Sequence, residues 1–130
     1  MTRLAAFVAI GGVLCGAATT VTGQEGAPAV PSGIVLSLQD VLIEEDAHLA
    51  RFRYVAPDLE SFGFAGVEND FPDLCAKQAV PWVREGHDAI RRVVISMASA
   101  PVEFGVASPD VTQFFEMFRI EDSACIWEGL

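Results

Sequence analysis

Cys75 and Cys125 are the only cysteines left if the first 23 residues are an export signal, and that solitary pair constrains the fold more than any other feature of the chain. The opening MTRLAAFVAIGGVLCGAATTVTG places one cation, Arg3, ahead of an apolar run from Leu4 to about Ala18, with small residues and threonines behind it. That order of charge, apolar core and small residues is the order of a secretory signal peptide. A membrane anchor fits less well, because the run is about 15 residues against the ~20 a bilayer requires, and Gly11, Gly12 and Gly16 weaken it. Cys15 is preceded by Leu14 rather than a small residue, which argues against a lipid-modified cysteine. Cleavage is expected after Gly23, with Ala29 as the alternative.

An isolated cysteine pair in an oxidising compartment is expected to form a disulfide. Closing a loop of about 50 residues would stabilise the fold by about 4 kcal/mol in the chain-entropy treatment. The competing reading is a nucleophilic thiol with a histidine base. His48 and His87 are the only histidines, neither lies in a recognisable motif, and a CxxC pair is absent.

The expected mature chain has 107 residues, enough for one small domain whose burial is modest and for which a covalent link matters. Its balance is acidic: 8 Lys and Arg against 18 Asp and Glu in the full sequence, a net charge of −10. So few cations argue against nucleic acid as a partner, and stable membrane insertion is not expected after signal cleavage. The apolar share, 52%, is too high for a disordered tail.

Periodicity supplies the elements. Residues 24–32, rich in Pro, Gly and Ala, are expected to be a flexible leader, with a single domain over 33–130. Residues 34–43 read as a strand with a bulge near Gln39–Asp40. Residues 48–55 alternate, with Ala50, Phe52 and Tyr54 on one face and Arg51 and Arg53 on the other, so the two strands form a hairpin across the polar turn 44–47. Residues 56–69, with Pro57, Gly63 and Gly66, read as a long loop. Asp70 is a good N-cap for an amphipathic helix to about Arg84, in which Phe71, Leu74, Cys75, Ala79 and Trp82 recur at helical spacing and Pro81 kinks or ends the last turn. Residues 90–98, 113–121 and 124–128 read as strands, separated by a second long loop over 99–112 and by a tight turn at Asp122–Ser123.

The expected architecture is therefore α+β, a five-stranded, mainly antiparallel sheet with one amphipathic helix on one face, in the order ββαβββ. A Cys75–Cys125 bridge would turn Cys125 towards the helix, and strand alternation puts Trp127 on the same side. One short helix covers only part of such a sheet. The other face then needs the long loops, closure into a barrel, or a partner.

The C-terminal third carries a resemblance. Thr112-Gln113-Phe114-Phe115-Glu116, followed by Ile120-Glu121-Asp122-Ser123-Ala124-Cys125-Ile126-Trp127-Glu128-Gly129, resembles an uncharacterised family of small exported alphaproteobacterial proteins, a domain of unknown function. Leu38-Gln39-Asp40-Val41, Arg51-Phe52-Arg53, Cys75 and Pro81 fit the same resemblance. It implies export and the cysteine pair, and brings no activity or site residues with it.

Several groups are candidates for chemistry, each beside a plainer role. Glu44-Glu45-Asp46 offers oxygens to a cation but lacks the spacing of a calcium loop and reads as a solvated turn. Glu68, Asp70 and Asp73 sit where acids favour a helix start. His87-Asp88 resembles an oriented base without a nucleophile beside it. Phe62 and Phe64, between glycines, form either a lip over the sheet or a plug in the core. Phe114, Glu116 and Phe118 share a strand face, where a lone carboxylate among apolar neighbours requires either an arginine partner (Arg51, Arg53, Arg91 or Arg92) or a ligand. These three are the candidate ligand-binding residues. No catalytic, metal or cofactor motif emerges. The leading expectation is a periplasmic or secreted, non-catalytic module that binds an unknown protein or small ligand; a small hydrolase-like enzyme and an inhibitor or assembly factor are the alternatives.

Overall fold

The computed structural model describes residues 27–129, so the signal segment expected over 1–23 lies outside the described residues. Strand β1 (Ser37–Glu44) pairs antiparallel with β2 (Leu49–Val55), and its register shifts between Leu38 and Asp40, where the bulge is expected. The hairpin turns through a short 3-10 segment, Glu45–Ala47, closed by His48 in the left-handed region at φ 52°.

The chain then enters two helical stretches, not one. Residues 56–69 are not a loop: α1 (Leu59–Val67) occupies most of them. Gly63 hides this helix from the sequence, because it takes φ 69° and ψ 169° and breaks the apolar repeat by kinking the helix between its turns. The second helix, α2, runs over 70–84 and changes character midway. Its first turn, Asp70–Leu74, is α; Cys75–Ala79 is a π segment; Val80–Arg84 is α again. Pro81 does not end it. A proline inside an α-helix loses one hydrogen bond and clashes with the carbonyl four residues back. The π segment just before Pro81 bonds five residues back instead, with Val80 N–H donating to the Cys75 carbonyl.

This crossover returns the chain to β3 (Arg92–Ala98), which lies parallel to β2, while β4 (Gln113–Glu121) and β5 (Ala124–Gly129) add antiparallel neighbours. The sheet is mixed, in spatial order β1-β2-β3-β4-β5. The last turn, Asp122–Ser123, has positive φ at both residues, 51° and 63°, the backbone a two-residue hairpin needs to match strand twist.

Alternation divides the sheet. Ala50, Phe52 and Tyr54 of β2, Val93, Ile95 and Met97 of β3, and Phe118 of β4 face the helices and are buried with Leu59, Val67, Phe71, Leu74 and Ala79. Cys75 and Cys125 are bonded, with Cα atoms 6.3 Å apart, tying α2 to the outermost strand. Burial pushes the Tyr54 phenol well above its ordinary range, and its hydroxyl donates to Gln78 Oε1 at 3.2 Å.

Val30, within the segment 24–32 expected as a flexible leader, is buried against the cluster, as are Ile34 and Leu36, which precede β1 although the strand is expected to begin at 34. Asp70 explains the order. It is fully buried and does not cap the helix; its carboxylate accepts from Ser32 N–H at 2.9 Å and Ser32 Oγ–H at 2.5 Å. The Ser32 hydroxyl in turn accepts from Ile34 N–H at 3.1 Å. A buried carboxylate needs such donors, and here they come from 38 residues upstream, a separation no local pattern reveals.

Candidate functional site

Two surfaces stand out, one on each face of the sheet. The face away from the helices presents Arg51 and Arg53 from β2, Val94 and Ser96 from β3, and Gln113 and Phe115 from β4. The loop 99–112 arches over part of it. Its neck is tied by Ser99 N–H to the Thr112 carbonyl (2.9 Å) and Thr112 N–H to Ser99 Oγ (3.0 Å). Its near limb is held by the buried Val102, whose carbonyl accepts from Gln39 Nε2 at 3.0 Å and from the Arg53 guanidinium. Short necks and self-packed limbs are features of Ω-loops, which often carry function.

Under the arch is a small cleft of about 130 Å³. Phe104 forms its lip, with the Arg51 and Arg53 guanidinium carbons 5.2 and 5.6 Å from the ring centroid. Both arginines have their own carboxylates: Arg51 Nε lies 2.6 Å from Glu44 and Arg53 Nη1 3.0 Å from Asp40. Each is thus oriented by one carboxylate, and with the Phe104 ring they form stacking surfaces and fixed walls of the cleft. Its apolar lining is open to solvent: Phe104, Val106 and Phe115 are 53, 50 and 47% exposed, beside the exposed polar Glu103 and Gln113. Register puts Met117 two residues along the same face from Phe115, and Ile126, also exposed, opposite Arg119.

The helix-side surface contains the residues singled out from the sequence. Phe118 is buried in the core and lines no surface. Phe114 is half-buried and meets Phe64 edge-on at 5.5 Å, while Phe64 also lies 6.0 Å from Phe71. Phe62 and Phe64 thus hang from the kinked α1 at the border of the core, each partly exposed. Glu116, opposite Ile95 in the sheet, makes no ion pair with an arginine or lysine among the described residues. Its carboxylate instead accepts the Trp127 indole N–H at 3.1 Å. Trp127 is on the helix side of β5, as alternation requires, yet it is 64% exposed. The helices stop short of it, so sharing a side with Cys125 does not bury it. Phe114, Glu116 and Trp127 form an aromatic ledge on that side, and the loop 99–112 belongs to the opposite face. The two expected loops and Glu116 therefore do not build one surface: the first is the helix α1 beside Phe114, the second covers the open face.

His87 is not poised as a base towards a nucleophile. His87 Nδ1–H donates to the Trp82 carbonyl at 2.9 Å and its ring stacks on Trp82 at 3.6 Å, so Asp88 does not orient it. Glu44 belongs to Arg51, which takes it out of the acidic turn. Asp73 faces Lys77 one turn on at 3.1 Å. Among the described residues, no group of three or more His, Cys, Asp and Glu side chains is placed to hold a metal, and no helix is long and apolar enough to cross a membrane.

Trp127 as the partner of Glu116, and Phe104 as the lip of a cleft, were not foreseen. The first required knowing where helix cover ends. The second required knowing which face the 99–112 loop folds over. No curated protein and no solved structure matches the chain. A family model matches residues 12–130, nearly its whole length, and the chain belongs to that family, described as a family of unknown function (DUF6497).

Proposed function

We propose that the protein is an exported, non-catalytic interaction module that docks a partner protein on the open face of its sheet, around the arch of the 99–112 loop. The observation that carries this reading is the cluster of Phe104, Val106 and Phe115, half-exposed together at one cleft. Exposed apolar groups that lie contiguously mark interaction sites more often than scattered ones. The cleft walls support the same reading, because paired arginines beside an aromatic ring give a rigid surface of low net charge. Export is supported by the N-terminal charge and apolar order and by the Cys75–Cys125 bridge, which is stable in an oxidising compartment. The chain is strongly acidic and most of its described cations lie in ion pairs, so a partner with a basic rim around an apolar centre suits it.

A photo-crosslinking amino acid at Phe115, in cells that make the protein, tests this. A discrete heavier adduct is expected there, absent when the label stands at Asp46 on the hairpin turn, and lost when Phe104→Arg is added. Labelling at Phe115 that gives only monomer, or an adduct that survives Phe104→Arg, removes the open face from consideration.

The Glu116–Trp127 ledge favours a second reading, a small-ligand site on the helix side. An exposed indole held by a carboxylate with no cationic partner provides an aromatic platform beside a hydrogen-bond acceptor. Glu116→Gln then abolishes ligand binding while leaving folding intact, and leaves the Phe115 crosslink unchanged.

A further inference from the structure

A cleft of about 620 Å³ at the end of the sheet collects positive charge in an acidic protein. His48, Arg91, Arg92 and Arg119 line it. Of the seven lysines and arginines in the described residues, three are therefore at this one place, against 17 Asp and Glu spread over the same residues. The acids paired with these arginines are Glu121, which also lines the cleft and lies 3.4 Å from Arg119 Nε, and Glu128, so three guanidiniums meet two paired carboxylates, with the exposed Asp46 and Asp122 next in sequence to lining residues.

The arrangement is more specific than a count of charges. Glu128 grips two arginines at once, Arg92 Nε at 2.9 Å and Arg119 Nη1 at 2.8 Å. Hydrogen bonds from Arg119 and then Arg92 hold the Glu128 carboxyl below its ordinary range, so it keeps its charge and its grip. Each guanidinium has five N–H donors. Arg92 gives only its Nε–H to Glu128, and its other donors stay available. Arg91 makes no ion pair among the described residues, and its backbone is fixed at both ends: its N–H donates to the His48 carbonyl at 2.8 Å and its carbonyl accepts Ile120 N–H at 2.9 Å. An unpaired arginine on a pinned backbone beside two oriented ones costs little ordering when an anion enters.

We infer that this cleft is an oxyanion site for a phosphate or a phosphate monoester, held by Arg91, Arg92 and Arg119. Three planar forks set around one cleft suit a tetrahedral anion better than a carboxylate, because it offers more acceptor oxygens in more directions. The site lies towards the opposite strand ends from the arch and does not depend on the function proposed above.

The test is a titration of the disulfide-bonded protein with sodium phosphate, followed by amide NMR, with sodium chloride at matched ionic strength as the control. Saturable shifts are expected at His48, Arg91, Arg92 and Arg119–Glu121, with none from chloride beyond a uniform drift. Arg91→Gln should weaken binding at least fivefold; Arg91→Lys should recover part of it. Arg84→Gln, which removes an exposed arginine away from the cleft, should leave it unchanged. Methyl phosphate separates the sources: equal or tighter binding than phosphate indicates a monoester, and its exclusion indicates the free ion. Shifts that do not saturate, that chloride reproduces, or that Arg91→Gln leaves intact overturn the site. If Arg91→Gln proves unfolded by its spectrum, Arg91→Lys and Arg84→Gln carry the same comparison.

Discussion

The two faces of the sheet are built from alternate residues of the same strands and differ in nearly every physical respect. On the helix side, Phe52, Tyr54, Ile95, Met97 and Phe118 are buried under α1 and α2, and a disulfide closes the margin. On the open side, Arg51, Arg53, Ser96 and Phe115 stand in the same strands one residue away, joined by ion pairs and an arched loop rather than by a packed layer. The first face accounts for most of the apolar burial and hence for stability. The second has groups whose geometry is held by neighbours but whose loss exposes little. A small domain thus separates what makes it fold from what it has left to bind with. Substitutions on the two faces should differ sharply, and the predictions are arranged to test that difference.

The largest effect belongs to the bridge. Cys75→Ser with Cys125→Ser should lower stability by up to about 4 kcal/mol, read as a large fall in the urea midpoint, and labelling of the native, unreduced protein should find no free thiol. A midpoint that barely moves would mean that the helix layer holds β5 without covalent help. Next is the helix core: Leu74→Ala should cost on the order of 2–4 kcal/mol, because Leu74 is fully buried against the sheet. Asp70→Ala should cost about 1–3 kcal/mol, since it strands the Ser32 amide and hydroxyl that now donate to it. Amide exchange at Ser32 and Ile34 should rise at the same time, a local signature that a general loss of packing would not give.

On the open face the prediction reverses. Phe104→Ser and Phe115→Ser should each change stability by no more than about 0.5 kcal/mol, and Phe104→Ser should remove the crosslink formed from position 115. Should either variant unfold the protein, the arch is part of the core rather than a docking surface, and the contrast between faces fails.

The contrast also marks how far the sequence is legible. Strands β2, β3 and β4 follow from alternation and β-branching, the bulge in β1 falls where its polar pair interrupts the pattern, and the bridge follows from cysteine number and an expected export signal. Each of these rests on signals within a few residues or on an inventory. The misreadings are of another kind. Helix α1 is hidden by a positive-φ glycine inside it, and Pro81, expected to kink or end the helix near Arg84, is carried by a π segment just before it while the helix does end at Arg84. Parallel pairing of β2 and β3 depends on how a crossover returns. Asp70 was read as a cap because its partner, Ser32, is remote in sequence. Trp127 was expected under the helices because alternation gives a side and says nothing about how far the cover extends. The two surfaces of interest depend on this last kind of information, which is why Phe114 and Glu116 were found without Trp127, and Phe104 was not found at all.

The smallest effect concerns Glu116, and it divides the two readings of that residue most cleanly. An ion pair closing the sheet would need a cation, and the structure gives the carboxylate an indole N–H instead. That bond is exposed and contributes about 0.5–1.5 kcal/mol at most. Glu116→Gln keeps an acceptor oxygen at nearly the same place but removes the charge; Glu116→Ala removes both. The Trp127 indole proton should therefore keep its NMR shift in the Gln variant and lose it in the Ala variant, with the denaturation midpoint little changed in either. If the Gln variant instead unfolds as readily as a core substitution, the charge is structural and a partner cation must form in solution. If the indole signal is the same in wild type and Ala variant, the ledge is not held by Glu116, and the small-ligand reading of the helix-side surface loses the rigid platform on which it depends.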